Sequence, residues 1–235
     1  MDKVRKPSRR KVIKTGLASI AAATAAAPIA NAAVKPKMPG ETKVVAVMGD
    51  YWHPAASQER HIRQILSSEK KWRIFFVLAS SYLTPEFLSD ADLLITARYG
   101  GSDDPAWTPD PIVEKRPSGD RIWTDEQIGA IFDNVTNRGM GWMACHCTLF
   151  SGRKEVEDFI GIEPILHQEI QPVIVRDINQ EHPITRGIDT FFFNLDEQFD
   201  AQIKNPSETT VLFRTLAVHD KRNALGGWCL RRGKG

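Results

Sequence analysis

The chain has 235 residues, 31 basic against 29 acidic, a formal net charge of +2 and 42% hydrophobic side chains. That composition is globular and excludes a disordered or collagen-like chain. The charge is uneven: residues 1–32 hold seven basic residues against Asp2 alone, leaving 24 basic and 28 acidic residues in 33–235, without the electrostatic footprint of a nucleic-acid binder.

Ser8-Arg9-Arg10-Lys11-Val12-Ile13-Lys14 is a twin-arginine pattern. An Ala-rich, weakly apolar run over 15–30 follows, and Ala30-Asn31-Ala32 supplies the small residues of an A-x-A cleavage site. The run falls short of the ~20 strongly apolar residues of a membrane span. Residues 1–32 therefore read as a twin-arginine signal peptide rather than an uncleaved anchor. Residues 33–41 read as a linker and 42–235 as one domain. The implied partner is the twin-arginine translocon, and the implied destination is periplasmic or secreted. Cys145, Cys147 and Cys229 allow one disulfide at most. In an extended strand Cys145 and Cys147 would share a face, too close for an easy bridge.

Along the body, Lys43-Val44-Val45-Ala46-Val47-Met48-Gly49 predicts a buried strand ending at a glycine. Ile62, Ile65 and Leu66 fall at helical spacing within 57–68. Trp72 to Leu78 and Asp92 to Ala97 predict two more strands, separated by a short helical turn capped by Thr84 with Pro85 first. Residues 98–123 have no period, and a loop of that length is more often functional than accidental. Thr124-Asp125-Glu126-Gln127 is a capping box opening a helix that ends at Arg138-Gly139. Gly141 to Cys145 predicts a fourth strand, and 153–159 a helix stopped by Gly161. This order is that of an α/β, flavodoxin-like, doubly wound and mostly parallel sheet. The strand candidates Gln171 to Arg176, Thr190 to Phe193 and Thr210 to Arg214 predict a β-rich C-terminal extension of it.

Ligands of such a sheet bind beyond the carboxyl ends of its strands. That rule selects Asp50-Tyr51-Trp52-His53, then Arg98-Tyr99-Gly100-Gly101, then Cys145-His146-Cys147. Cys145 stands where a nucleophile elbow would lie, but its flanks lack small turn residues, and a buried small hydrophobe is the simpler reading. His146 is a candidate metal ligand, acid/base or ligand donor, and His53 has similar standing. His61 reads as solvent-facing and His182 as a hydrogen-bonded corner. Of Asp196 and Glu197, Glu197 is expected to face the pocket. There is no P-loop, dinucleotide fingerprint, CxxC pair or HExxH motif.

Together these residues resemble the ThuA-like (trehalose-utilisation) family, a branch of the class I glutamine-amidotransferase-like fold. The resemblance runs through Gly49 to His53, Asp92 to Gly100, Trp123-Thr124, Gly139 to His146, His182-Pro183-Ile184-Thr185-Arg186-Gly187 and Asp196-Glu197. It implies that fold, a link to sugar utilisation, and a histidine at the elbow, matched by His146, in place of a Cys–His–Glu set. It also makes Trp228-Cys229-Leu230 look like the approach to a last core strand and Gly-His turn, both expected to be missing here.

The expectation is an exported protein acting on a carbohydrate or oxidised (keto) sugar, as a hydrolase, lyase or isomerase. His146 and Glu197 would be catalytic, with Asp50, Tyr51, His53, Arg98, Tyr99, Trp107 and Cys145 contacting substrate. His53 and His146 could hold a divalent metal such as zinc. Two alternatives stay open. One is a non-catalytic sugar-binding or scaffold domain, with Trp52, Trp107 and Tyr99 stacking on sugar. The other is a thiol-dependent amidotransferase-like hydrolase requiring Cys145. A homo-oligomer is also left open.

Overall fold

The computed structural model describes residues 37–50, 53–78, 82–98 and 123–235. The leader, Tyr51, Trp52, Tyr99 and Trp107 lie outside them. Four parallel strands, β1 (Thr42–Met48), β2 (Trp72–Val77), β3 (Leu93–Ala97) and β4 (Gly141–Ala144), form one sheet in the order β2-β1-β3-β4. From Val44 to Met48 the inner strand β1 is apolar because both of its faces are covered. Val45 and Val47 join Leu88, Leu94, Ile128, Ile131 and Val156 in one apolar cluster. Val44, Ala46 and Met48 join Ala55 and Ile95 in another, with Ile62 and Leu66 packed against it. Each fully buried Val or Leu contributes roughly 1.5–3 kcal/mol.

The helices follow from local signals. Helix α1 (Ala55–Ile65) presents Ile62 to the second cluster. The short α2 (Pro85–Leu88) has the Thr84 hydroxyl accepting from the Phe87 amide. Helix α3 (Asp125–Asp133) opens with the reciprocal Thr124–Gln127 capping box. It runs into a wider turn over Asn134–Arg138, which Gly139 ends at φ +88°. Helix α4 (Lys154–Ile160) stops at Gly161, φ +77°. The stacked rings of Phe132 and Phe159, 3.9 Å apart, tie α3 to α4.

The C-terminal third differs from expectation. Its strands do not extend the parallel sheet. Strands β6 (Gln171–Arg176), β7 (Phe191–Asp196), β9 (Thr209–Ala217) and β10 (Arg222–Leu230) form a separate antiparallel sheet, ordered β10-β9-β6-β7. Strands β5 (Ile162–His167) and β8 (Phe199–Ile203) form a two-stranded antiparallel ladder. Trp228-Cys229-Leu230, read as the approach to a missing strand, is itself the end of β10 and pairs with β9. The Gly226-Gly227 pair that obscured β10 has a packing cause: a Cβ at either position would lie 2.5 or 2.3 Å from the Phe213 ring. The ladder bulges there.

Candidate functional site

Three strand ends build the site. At the end of β1, Gly49 takes φ +81°, and a Cβ on it would lie 2.7 Å from that of Ala55. The turn it permits buries Asp50, which closes a tight loop with His53: each backbone amide donates to the other's carbonyl, at 3.2 and 3.3 Å. Asp50 Oδ1 also accepts from the His53 amide at 3.0 Å and lies 2.6 Å from His53 Nδ1. Gln58 ties this loop to β3, accepting from the Gly49 amide and donating to the Ala97 carbonyl. At the end of β4 the Cys145 amide donates to the Thr96 carbonyl, and the Thr148 hydroxyl donates to that same carbonyl.

His146 then takes φ +48°, the left-handed region that L residues rarely occupy, and a 3-10 turn over His146–Phe150 follows. This elbow brings His146 Nε2 to 2.9 Å from His53 Nε2. The buried Asp50 carboxylate favours a proton on His53 Nδ1 and leaves Nε2 with its lone pair toward His146. Burial first, and then the neighbouring His53, push the His146 pKa down to about 4, against the opposing pull of Asp196 and Asp50. The ring is neutral at neutral pH, the form that accepts a proton or a metal ion.

The elbow also separates the two cysteines, which an unbroken strand would have put on one face. Cys145 packs with the Val44, Ala46, Met48 cluster, and burial pushes its thiol up to about 11. Cys147 turns the other way. It is buried, and its Sγ lies 3.1 Å from His53 Nδ1 and 3.2 Å from His53 Nε2. Equal distances to both ring nitrogens put the sulfur over the ring face, in line with neither lone pair. Burial and the Asp50 carboxylate hold that thiol protonated, far above its ordinary range.

The wall comes from the C-terminal strands. The Phe199 ring stands edge-on to His146 with centroids 4.4 Å apart, flanked by Phe150 at 5.3 Å and His167 at 5.7 Å. Glu197 is half-buried on the β7–β8 turn, and its carboxylate makes no hydrogen bond among the described residues. Its charge is felt by Cys147, whereas Asp196 is the neighbour whose charge is felt by His146. Arg98 is fully buried just after β3 and donates to the Leu78 carbonyl just after β2. His61 is exposed, and His182 is a hydrogen-bonded corner whose Nδ1 accepts from the Ile184 amide.

Sequence reasoning thus pointed to Asp50, His53 and His146, placed Cys147 in the same strand-end loop without giving it a role, and missed Phe199 and His167. The left-handed turn that aims Cys147 has no glycine to announce it, Phe199 lies on a short polar strand, and His167 lies on one interrupted by Pro164. Among the described residues, His53, His146 and Cys147 offer ligand atoms that all lie within 4.8 Å of one another and could hold a metal ion. A recess at the opposite end of the sheet, lined by Glu41, Lys70 and Arg73, carries none of this chemistry.

A family model described as ThuA, trehalose utilisation, matches residues 43–234. No curated relative matches the chain. Two solved structures share the fold. A ThuA-like protein from Bacteroides uniformis is 16% identical with a TM-score of 0.55, covering 76% of this chain and 69% of its own. One from Parabacteroides merdae is 14% identical with a TM-score of 0.61, covering 83% and 77%.

Proposed function

The chain belongs to the ThuA family, and from that premise we propose that it is an exported protein acting on a carbohydrate, or an oxidised keto derivative of one, in the strand-end cleft around His146. The observation that carries this reading is a neutral imidazole held on a left-handed elbow against an aromatic wall. The edge and face of Phe199 suit the apolar C–H face of a sugar, and the ring nitrogen beside it suits proton transfer from a hydroxyl or from a carbon next to a carbonyl. Elimination and isomerisation of a keto sugar begin with such a transfer, and hydrolysis would use the same base on the attacking water. Asp196, whose charge is felt by His146, and Glu197, half-buried and next after Asp196 in the chain, are the carboxylates we assign as partners of His146. Asp50 and His53 form the floor, and Tyr51, Tyr99 and Trp107 remain expected contacts. The raised thiol of Cys145 weighs against thiol-dependent chemistry at that residue.

The strand order β2-β1-β3-β4, with apolar clusters on both faces, supports a flavodoxin-like, doubly wound arrangement. The twin-arginine leader supports export through that translocon to the periplasm or beyond. The test is calorimetric titration of the exported body with trehalose, glucose and their keto derivatives, followed by turnover assays on any that bind. Saturable binding is expected, with turnover falling about 100-fold or more in His146→Ala. Absence of binding by every sugar, or unchanged turnover in His146→Ala, overturns the proposal.

A further inference from the structure

We propose that His53, His146 and Cys147 form a three-ligand site for a borderline-soft divalent metal ion, zinc before others, with its fourth position open to the cleft. Three observations converge. Asp50 Oδ1, 2.6 Å from His53 Nδ1, supplies the carboxylate–histidine support that fixes the tautomer of a ligating imidazole. With the proton held on Nδ1, the His53 Nε2 lone pair faces His146 Nε2 at 2.9 Å, and a proton or a cation must lie between them. Cys147 decides between these two. Its buried thiol stands beside the lone pairs with no in-line hydrogen bond, because Sγ lies over the ring of His53.

Zn–N bonds of about 2.0–2.1 Å and Zn–S bonds of about 2.3 Å, arranged tetrahedrally, separate ligand atoms by roughly 3.3–3.6 Å. The two observed edges at His53, 2.9 and 3.2 Å, are a few tenths shorter, and all three ligand atoms lie within 4.8 Å of one another. Binding therefore moves both of these groups slightly away from His53 and turns the sulfur off the ring face. The thiol proton leaves to solvent as the S–metal bond forms, so uptake releases one proton. A mixed imidazole–thiolate set selects zinc or cobalt over magnesium or calcium. Among the described residues no fourth His, Cys, Asp or Glu joins the group. Three protein ligands with an open position is the arrangement of a reactive rather than a structural zinc site. In it His146 Nε2 is a ligand, and the proton transfer proposed above would fall to a group at the open position or to Asp196 or Glu197.

The experiment uses cobalt(II) and zinc(II) alone on the purified full chain, with no sugar, so its failure is separate from failure of the carbohydrate reading. Cobalt is expected to bind one per chain, with intense tetrahedral visible bands and a thiolate-to-cobalt charge-transfer band, both bleached by zinc. Cys147→Ser should remove the charge-transfer band, while Cys145→Ser and Cys229→Ser keep it. Asp50→Asn should weaken zinc binding about 10–100-fold. Wild-type protein that retains neither metal overturns the proposal, and so does a charge-transfer band that survives in Cys147→Ser.

Discussion

His146 shows how one backbone angle can define a site. A side-chain-bearing residue in the left-handed region costs about 1–2 kcal/mol relative to right-handed backbone, and glycine escapes most of that cost. His146→Gly and His146→Ala both remove the imidazole, but only glycine relieves the turn. His146→Gly is expected to be about 1 kcal/mol more stable than His146→Ala in denaturant unfolding. Equal stabilities would mean the elbow is unstrained. The same angle explains what could be read beforehand. His53 and His146 were legible because apolar runs end just before them, and the strand-end rule needs nothing more. The strand-end rule reached Cys147 too, but not the direction of its thiol, since period-two reasoning holds only while the backbone stays extended, and it stops at residue 146.

At the scale of elements, capping and burial signals were the readable ones. The Thr124 box, the Thr84 cap and the terminal glycines Gly139 and Gly161 all stand at the ends expected of them. Strands β5, β8 and β10 were not legible, because their sequences carry Pro164, polar residues or a glycine pair justified only by the distant Phe213 ring. One element interaction yields a pH prediction. Lys43, almost fully buried at the start of β1, pairs with Asp90 and lies over the rings of Phe75 and Phe87. Burial alone would raise the Asp90 carboxyl, but the Lys43 hydrogen bond and charge overcome it and hold the group below its ordinary 3.8. Its stabilisation is therefore present above that unfolded value and lost as pH falls through the lower folded one. The stability gap between wild type and Lys43→Met should narrow on acidification below about pH 4. A gap that stays constant across that range would remove Asp90 from the account.

At the scale of the molecule, the twin-arginine reading makes the first 32 residues an address separable from the body. All of the net positive charge lies in the first 32 residues, and the remainder is mildly acidic. Replacing Arg9-Arg10 with Lys-Lys is expected to leave the precursor in the cytoplasm at full length, read by fractionation and mass. Normal export of that variant would refute the twin-arginine reading. The body itself joins two architectures, a parallel sheet that supplies the histidines and antiparallel strands that supply the aromatic wall. No single run of sequence holds the whole cleft.

That division has a kinetic consequence. The contact between His53 and His146 spans 93 positions, and closing a flexible loop of that length costs ~4 kcal/mol of chain entropy. Each parallel neighbour also needs its own crossover, which raises contact order and slows folding. The wall residue Phe199 is made later still, so a nascent chain released before it has the elbow but no cleft. The ligand capture proposed for this cluster would then be an end-point signal of folding. A bound ion or sugar would stabilise only the finished topology, which on the twin-arginine reading is the stage at which the cargo is ready for export.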